Sequence, residues 1–469
     1  MALSHRWGVG RICRTLESVF DDYRNAIPMD EVSNVFRDAI EATRRLGIRY
    51  LWIDSLCIIQ DSPEDWEIES GNMASIYSNA SFTIAAALSG DSDTGLFAPR
   101  DALLGRPCRI NVRSPEDSTA EVIRIWSETD LRGLNLAYLY PLYTRAWVFQ
   151  EHTLSPKILH FTPVGILWEC LGANYAESEP LRQRQWQDAP IKFPLGSQPD
   201  LLDNSGKAIA CDKWLDLVET YSGRAMTFDT DWLPAMSGIA KVFSKQLQCD
   251  YDEYVGGLWR PDILRGLVWY PNTARARGKN HCRPSTYVGP SWSWASINGP
   301  ISFPIRSKGW QFSFSLTSRV EWAADPVPTA VVLDVRCVQR GLDPTGRISS
   351  GRIVLFGPIC ENPFYSQQRD PGVQAPSVHT WVRREDPNDT PLEKMKPFEL
   401  DVPGETLAID SILLQLYRDF ALILERNVSS SGNIFYRRIG WCVVGGALNA
   451  NPSLISPERF NSREVVVII

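Results

Sequence analysis

Nowhere in the chain do apolar residues run on long enough to cross a bilayer, and the opening Met-Ala-Leu-Ser-His-Arg-Trp-Gly holds no apolar signal core. Both absences lead to the expectation of a cytoplasmic protein with no membrane span. Histidine is scarce, at five residues, and the ten cysteines are scattered without a Cys-x-x-Cys pair and without clustering near those histidines. That pattern suggests neither a zinc site nor a disulfide framework, so no metal and no cofactor is expected. Excess positive charge is also missing: charged residues make up 22% and the formal net charge is -7, which argues against nucleic acid as a partner. A phosphate-binding loop of the G-x-x-x-x-G-K-S/T type is absent, so any nucleotide-driven assembly switch must lie elsewhere or in a partner.

What the chain does have is material for cores. Its 469 residues, 44% of them hydrophobic, set a prior of roughly three domains. The organising stretch runs from Arg49 through Asp61 and on to Ala87, and it reads as strand, helix, strand. Tyr50 to Ile53 is an apolar run without alternation, the pattern of a strand covered on both faces. Asp54 ends that run, and a carboxylate there falls where open α/β sheets place their ligand crevice. Ser62, Pro63, Glu64 and Asp65 open a helix with a cap, a proline at the first position and acidic residues at the positive end of the dipole. Trp66, Met73, Ile76, Tyr77 and Ala80 give it an apolar stripe, while Gly71 marks a place where it could break. Phe82 to Ala87 then suits a second buried strand reached by a parallel crossover.

Upstream, residues 2–7 fit a first strand with Ser4, His5 and Arg6 at its tip, and a strand beginning so early suggests that a further edge could precede it. Apolar residues between Val32 and Leu46 recur at helical spacing, and Gly47 sits where a left-handed cap would end that helix. Ser89 to Gly95 is a turn-rich loop, and Pro107 to Trp126 holds one or two inserted strands. Tyr143 to Glu151 suits a short helix, followed by two short strands at Lys157–Phe161 and Ile166–Cys170. The polar stretch from Ala176 to Gly206 reads as a linker or mobile excursion, and Trp214 to Trp269 is mostly helical with large aromatics that pack in cores. Beyond Phe303, short β-type runs at 331–335, 352–356, 411–417, 421–425, 439–444 and 465–469 are the pattern of a sandwich or barrel. The expected organisation is an α/β domain over 1–172, a linker or excursion over 173–212, a helical region over 213–300 packed on the first domain, and a β-rich domain over 301–469.

Four motifs, Ala2-Leu-Ser-His-Arg-Trp-Gly8, Tyr50-Leu-Trp-Ile-Asp-Ser-Leu-Cys-Ile-Ile-Gln-Asp61, Met73 with Ile76-Tyr77 and Ala80, and Arg145-Ala-Trp-Val-Phe-Gln-Glu151, resemble the successive motifs of the heterokaryon incompatibility (HET) domain of filamentous fungi. Downstream, Asp231-Trp-Leu-Pro-Ala-Met-Ser-Gly-Ile-Ala240 and Pro290-Ser-Trp-Ser-Trp-Ala-Ser296 resemble the less defined region that often follows it. The resemblance implies a fungal intracellular protein of non-self recognition, innate immunity and programmed cell death. It departs from the family at His5, where tyrosine is common. A more distant likeness is to Toll-type (TIR) domains, which implies a TIR-like, flavodoxin-like parallel sheet. In that likeness Trp147 and Glu151 fall on the positions of a Ser-x-Trp-Cys-x-x-Glu motif whose glutamate serves enzymes that cleave NAD.

The resemblance makes Glu151 the candidate catalytic group. Ser4, His5, Arg6, Trp7, Asp54, Ser55, Arg145 and Trp147 are the candidate substrate-binding residues, with NAD as the substrate rather than a resident cofactor. Each has a plainer alternative: Glu151 as a helix-end carboxylate paired with Arg145 or Lys157, Asp54 as a loop cap, His5 as a hydrogen-bonded loop residue. Two functions stand open, an NAD glycohydrolase and a non-enzymatic signalling module that assembles with itself or with a second incompatibility protein.

Overall fold

The computed structural model describes residues 1–7, 13–87, 94–97, 108–113, 120–125, 140–163, 165–177, 179–184, 204–276, 280–306, 309–313, 319–322, 327–361, 398–403, 405, 407–408, 410–444, 459–460 and 462–469. Two compact units emerge: Met1–Gln198 with Pro234–Val242, and Pro199–Leu233 with Phe243–Ile469.

The first unit is built on β1 (Ala2–Ser4), which is buried along its whole length. β2 (Trp52–Ile53) and β3 (Thr83–Ala85) lie parallel on either side of it, and β6 (Lys157–Thr162) lies parallel beyond β3. β7 (Gly165–Cys170), β8 (Asn174–Ala176) and β9 (Glu179–Arg184) then continue the sheet antiparallel, in the order β2-β1-β3-β6-β7-β8-β9. β4 (Cys108–Arg113) and β5 (Ala120–Ile125) form a separate antiparallel pair, the insertion expected there.

Alternation along β1 divides the unit into two packed faces. Leu3 points into a core with Phe36, Ala39, Ile53 and Ile84, supplied on the helix side by α2 (Asn34–Arg45). Ala2 points the other way and meets Met73 and Tyr77 of α4 (Pro63–Asn79). Both helices begin where side-chain caps allow: Ser33 accepts from Phe36 N–H and Ser62 from Asp65 N–H, satisfying donors that have no partner within the helix. Gly47, with φ +69°, follows α2 in the left-handed conformation its position predicts. A six-residue helix, α1 (Phe20–Asn25), and the single turn α3 (Asp54–Cys57) complete this part, and α5 (Ala146–Leu154) leads into β6.

Three expectations are corrected. The strand expected at Tyr50–Ile53 is shorter and lies at the sheet's edge, because among the described residues it pairs with β1 alone; Tyr50 is 73% exposed, and of its residues only Ile53 is deeply buried. Gly71 does not break α4, which runs unbroken over 17 residues. Within the 173–212 stretch, 174–176 and 179–184 are sheet strands and a helix begins at Asn204, while 185–203 lies outside the described residues.

In the second unit, α6 (Asn204–Ser222) and the indoles of Trp214, Trp259, Trp269, Trp292 and Trp294 form a buried aromatic core. Gly257 is its pivot. At φ +89° its carbonyl accepts from both Trp214 Nε1 (3.1 Å) and Trp294 Nε1 (3.0 Å), and a Cβ there would stand 2.5 Å from Trp294 Nε1. The β-rich part closes on itself: strand 348–361 pairs with 412–417, that with 420–428, that with 434–443, and strand 462–468 joins 434–443 back to 348–361. A barrel is thus present, with strands 331–339 and 398–400 added to it. The helix α7 (Pro234–Leu247) contributes Pro234–Val242 to the first unit and its last turns to the second.

Candidate functional site

β1 and β2 run in the same direction, so the residues that follow them, His5 to Trp7 and Asp54–Ser55, gather at one edge of the sheet. That edge is the carboxyl end, where the chain goes from β1 to β2 on one side and returns to β3 on the other, the place where ligands bind in open α/β sheets. Asp54 is held by Trp7 Nε1, which donates to Oδ2 at 2.9 Å, and by the N–H of Ser55, which donates to Oδ1 at 2.7 Å. His5 Nδ1 stands 3.6 Å from Asp54 Oδ1, and its ring meets Phe36 edge-on at 5.0 Å. The Arg145 guanidinium reaches across from the start of α5 and donates to the His5 carbonyl at 2.8 Å.

Glu151 projects from α5 into the same corner. It is buried at 6% exposure, which rules out the exposed helix-end ion pair. Burial pushes its carboxyl up to about 7; the Ser4 hydroxyl pulls it down, Asp54 raises it, and Arg145 and Tyr77 lower it. Ser4 Oγ comes close enough to be felt, yet neither it nor Glu151 Oε2 completes a hydrogen bond of normal geometry. The His5 ring nitrogens likewise lack a hydrogen bond, and burial lowers the imidazole's pKa; Asp54 opposes this and Arg145 adds to it. Ser4, His5 and Glu151 are thus three buried groups with bonding capacity left over, a pattern that clusters at functional sites.

The other expected residues divide. Ser55 is fully buried with its hydroxyl donated to the Cys13 carbonyl at 3.1 Å, so it ties the 13–15 segment to α3. Trp147 packs with Ala2, Met73 and Tyr77 and meets Trp66 edge-on, which makes it a wall of the core beneath the site. Arg6 is exposed at the rim. Tyr77 belongs to the site although it entered the sequence reading only as part of a helical stripe. Its hydroxyl donates to Leu3 O at 3.1 Å, and it sits near enough to Glu151 to alter its ionisation.

The first unit is therefore an α/β domain with a partly parallel sheet and a buried polar corner at its carboxyl edge. Residues 1–151, about a third of the chain, match the family model described as heterokaryon incompatibility protein (HET), so this segment is similar to a HET domain. The match ends at Glu151 itself. No curated protein and no solved structure matches the chain at a significant level. Among the described residues no helix is long and apolar enough to cross a membrane.

Proposed function

We propose that the chain acts in non-self recognition and programmed cell death through a TIR-like HET domain that hydrolyses NAD at the bond between nicotinamide and ribose. The observation that carries this reading is the buried Glu151 carboxylate at the carboxyl edge of β1, beside Ser4, His5 and Arg145. Support also comes from the order β2-β1-β3-β6 of the parallel strands, which follows the flavodoxin-like pattern. In the reaction the C1′–N1 bond breaks, its electron pair returns to the pyridinium ring, and nicotinamide leaves neutral. Positive charge develops on the ribose, and a carboxylate in a dry site stabilises such charge more than water does. Water then attacks C1′ and loses a proton, giving ADP-ribose. In this reading Asp54, held by Trp7 and the Ser55 N–H, accepts from a ribose hydroxyl.

The test is nicotinamide release by the purified full chain, measured at high protein concentration in case self-assembly orders the site. Glu151→Gln preserves size and removes the charge, and release should fall roughly a hundredfold or more with little change in folding. An equal rate in that variant would remove Glu151 from the chemistry. The enclosure of Ser4 and Glu151 favours a second reading, in which the corner is structural and the domain passes on a death signal by assembling with itself or a second incompatibility protein. A wild-type protein that kills cells on overexpression but releases no nicotinamide would select it.

A further inference from the structure

Just beyond the match to the family, α5, β6 and β7 bring together a second cluster of titratable groups. His160 of β6 and Glu169 of β7 lie on one face of the hairpin, since His160 faces Leu167 across the ladder and Glu169 is two residues further along. His152 comes down onto them from α5. His152 Nε2 and His160 Nε2 stand 2.7 Å and 2.9 Å from the same carboxylate oxygen, Glu169 Oε2. All three side chains are buried at 0–3% exposure, and one ligand atom from each lies within 4.8 Å of the others. The Tyr143 hydroxyl bonds His160 Nδ1 and fixes that ring from behind.

We infer that His152, His160 and Glu169 form a binding site for a zinc-type divalent ion, against the expectation from sequence that no metal is held. Two imidazole nitrogens and one carboxylate oxygen are a known donor set for zinc, which accepts such ligands at about 2.0–2.2 Å in tetrahedral arrangement. Opening the two N···O separations by about 0.5 Å gives the ligand edge that those bond lengths require. Each imidazole then coordinates through Nε2 and carries its proton on Nδ1, so His160 donates to Tyr143 Oη, the outer partner that metal-bound histidines commonly have. The scaffold suits the task. Two ligands come from neighbouring strands, and the third comes from the helix that leads straight into them. An ion there would clamp α5 to the β6–β7 hairpin.

Cobalt(II) added to the metal-stripped full chain tests this, because a tetrahedral nitrogen and oxygen site gives intense visible bands while a thiolate site adds a near-ultraviolet charge-transfer band. The expected result is one tetrahedral cobalt per chain, displaced by one equivalent of zinc, without the thiolate band. Tyr143→Phe should weaken zinc binding about 10- to 100-fold while keeping the spectrum, and His160→Gln should abolish both. Absence of any cobalt spectrum from the folded wild-type chain at micromolar concentration overturns the site, because that result needs no variant to fold. So does a thiolate band, or a spectrum unchanged in His160→Gln.

Discussion

The two units bury charge in different ways. In the second, Arg438 is fully enclosed, yet every part of its guanidinium is engaged: Nε and Nη2 on Asp401 at 3.1 Å each, Nη1 on Leu267 O at 2.7 Å, Nη2 on Trp269 O at 2.5 Å, and the plane over the Trp269 ring at 3.4 Å. In the first, the Glu151 carboxylate and the His5 imidazole are almost as deeply buried but keep atoms without a hydrogen bond. The second unit has buried atoms without a hydrogen bond too: indole N–H groups and hydroxyls in Trp259, Trp292, Trp441, Tyr254 and Ser411, the Nε of Arg260 and of Arg275, whose Nη1 atoms reach Val335 O and Glu219, and Oδ1 of half-buried Asp419. A neutral donor left unpaired costs less than a charge and does not titrate near neutral pH. The contrast separates an ion that holds a fold together from ionisable groups held ready for something else.

The largest effect expected from that contrast is at Arg438. Arg438→Met should cost about 3–5 kcal/mol, because it strands Asp401 in the interior and frees two carbonyls. Arg283, 3.5 Å from Asp401, takes up part of the charge and sets the lower end of that range. Hydrogen exchange in strands 412–417 and 434–443 would report it, and a loss under about 1 kcal/mol would mean that the buried pair holds nothing together. Gly238→Ala comes next. In an ordinary helix interior this change gains up to about 1 kcal/mol, but here the new Cβ would lie 2.4 Å from Ala74 Cβ and 2.5 Å from Gln150 Oε1. The sign should reverse to a loss of about 1–3 kcal/mol in denaturant melts. Glu151→Gln should change stability by under about 1 kcal/mol or raise it, since a neutral amide escapes the desolvation that the carboxylate suffers. A loss above about 2 kcal/mol would put Glu151 in the same class as Arg438.

Much of this was legible in the sequence, for identifiable reasons. Ser62-Pro63-Glu64-Asp65 opens α4 as its capping chemistry requires, and the short β-type runs beyond 330 are barrel strands because turn residues separate them. The gathering of Ser4, His5 and Asp54 at the carboxyl edge was legible because they end or directly follow apolar runs. Periodicity could not tell an edge strand from a central one, so Tyr50 was expected inside although it is exposed: apolar composition does not say how many neighbours a strand has. The His152, His160 and Glu169 cluster escaped for a related reason. Its spacing matches no short motif and its members meet only through the hairpin register, whereas a search for cysteine and histidine pairs looks along the chain.

The smallest expected effect concerns His5, and it tests whether the polar corner differs from the rest of the protein in its protonation. Asp54 and Arg145 face its ring with opposite charge; burial, with Arg145 adding to it, outweighs Asp54 and places its folded-state pKa below the ordinary value near 6.5. The unfolded chain therefore binds more protons than the folded one at pH values just under 6.5. Stability from a neutral His5 is complete above that pH and is lost as pH falls through it, by at most about 1.4 kcal/mol per pH unit for one proton. His5→Phe keeps a ring against Phe36 but cannot titrate, so the difference between its urea midpoint and that of the wild type should shrink between pH 7.5 and pH 5.5. The Cε1 proton resonance of His5, one of only five histidines, should titrate at lower pH than that of an exposed histidine. A protonated His5 at pH 7 would mean that Asp54 wins over burial, and the corner would then hold an ion pair of the kind that the second unit uses to stay folded.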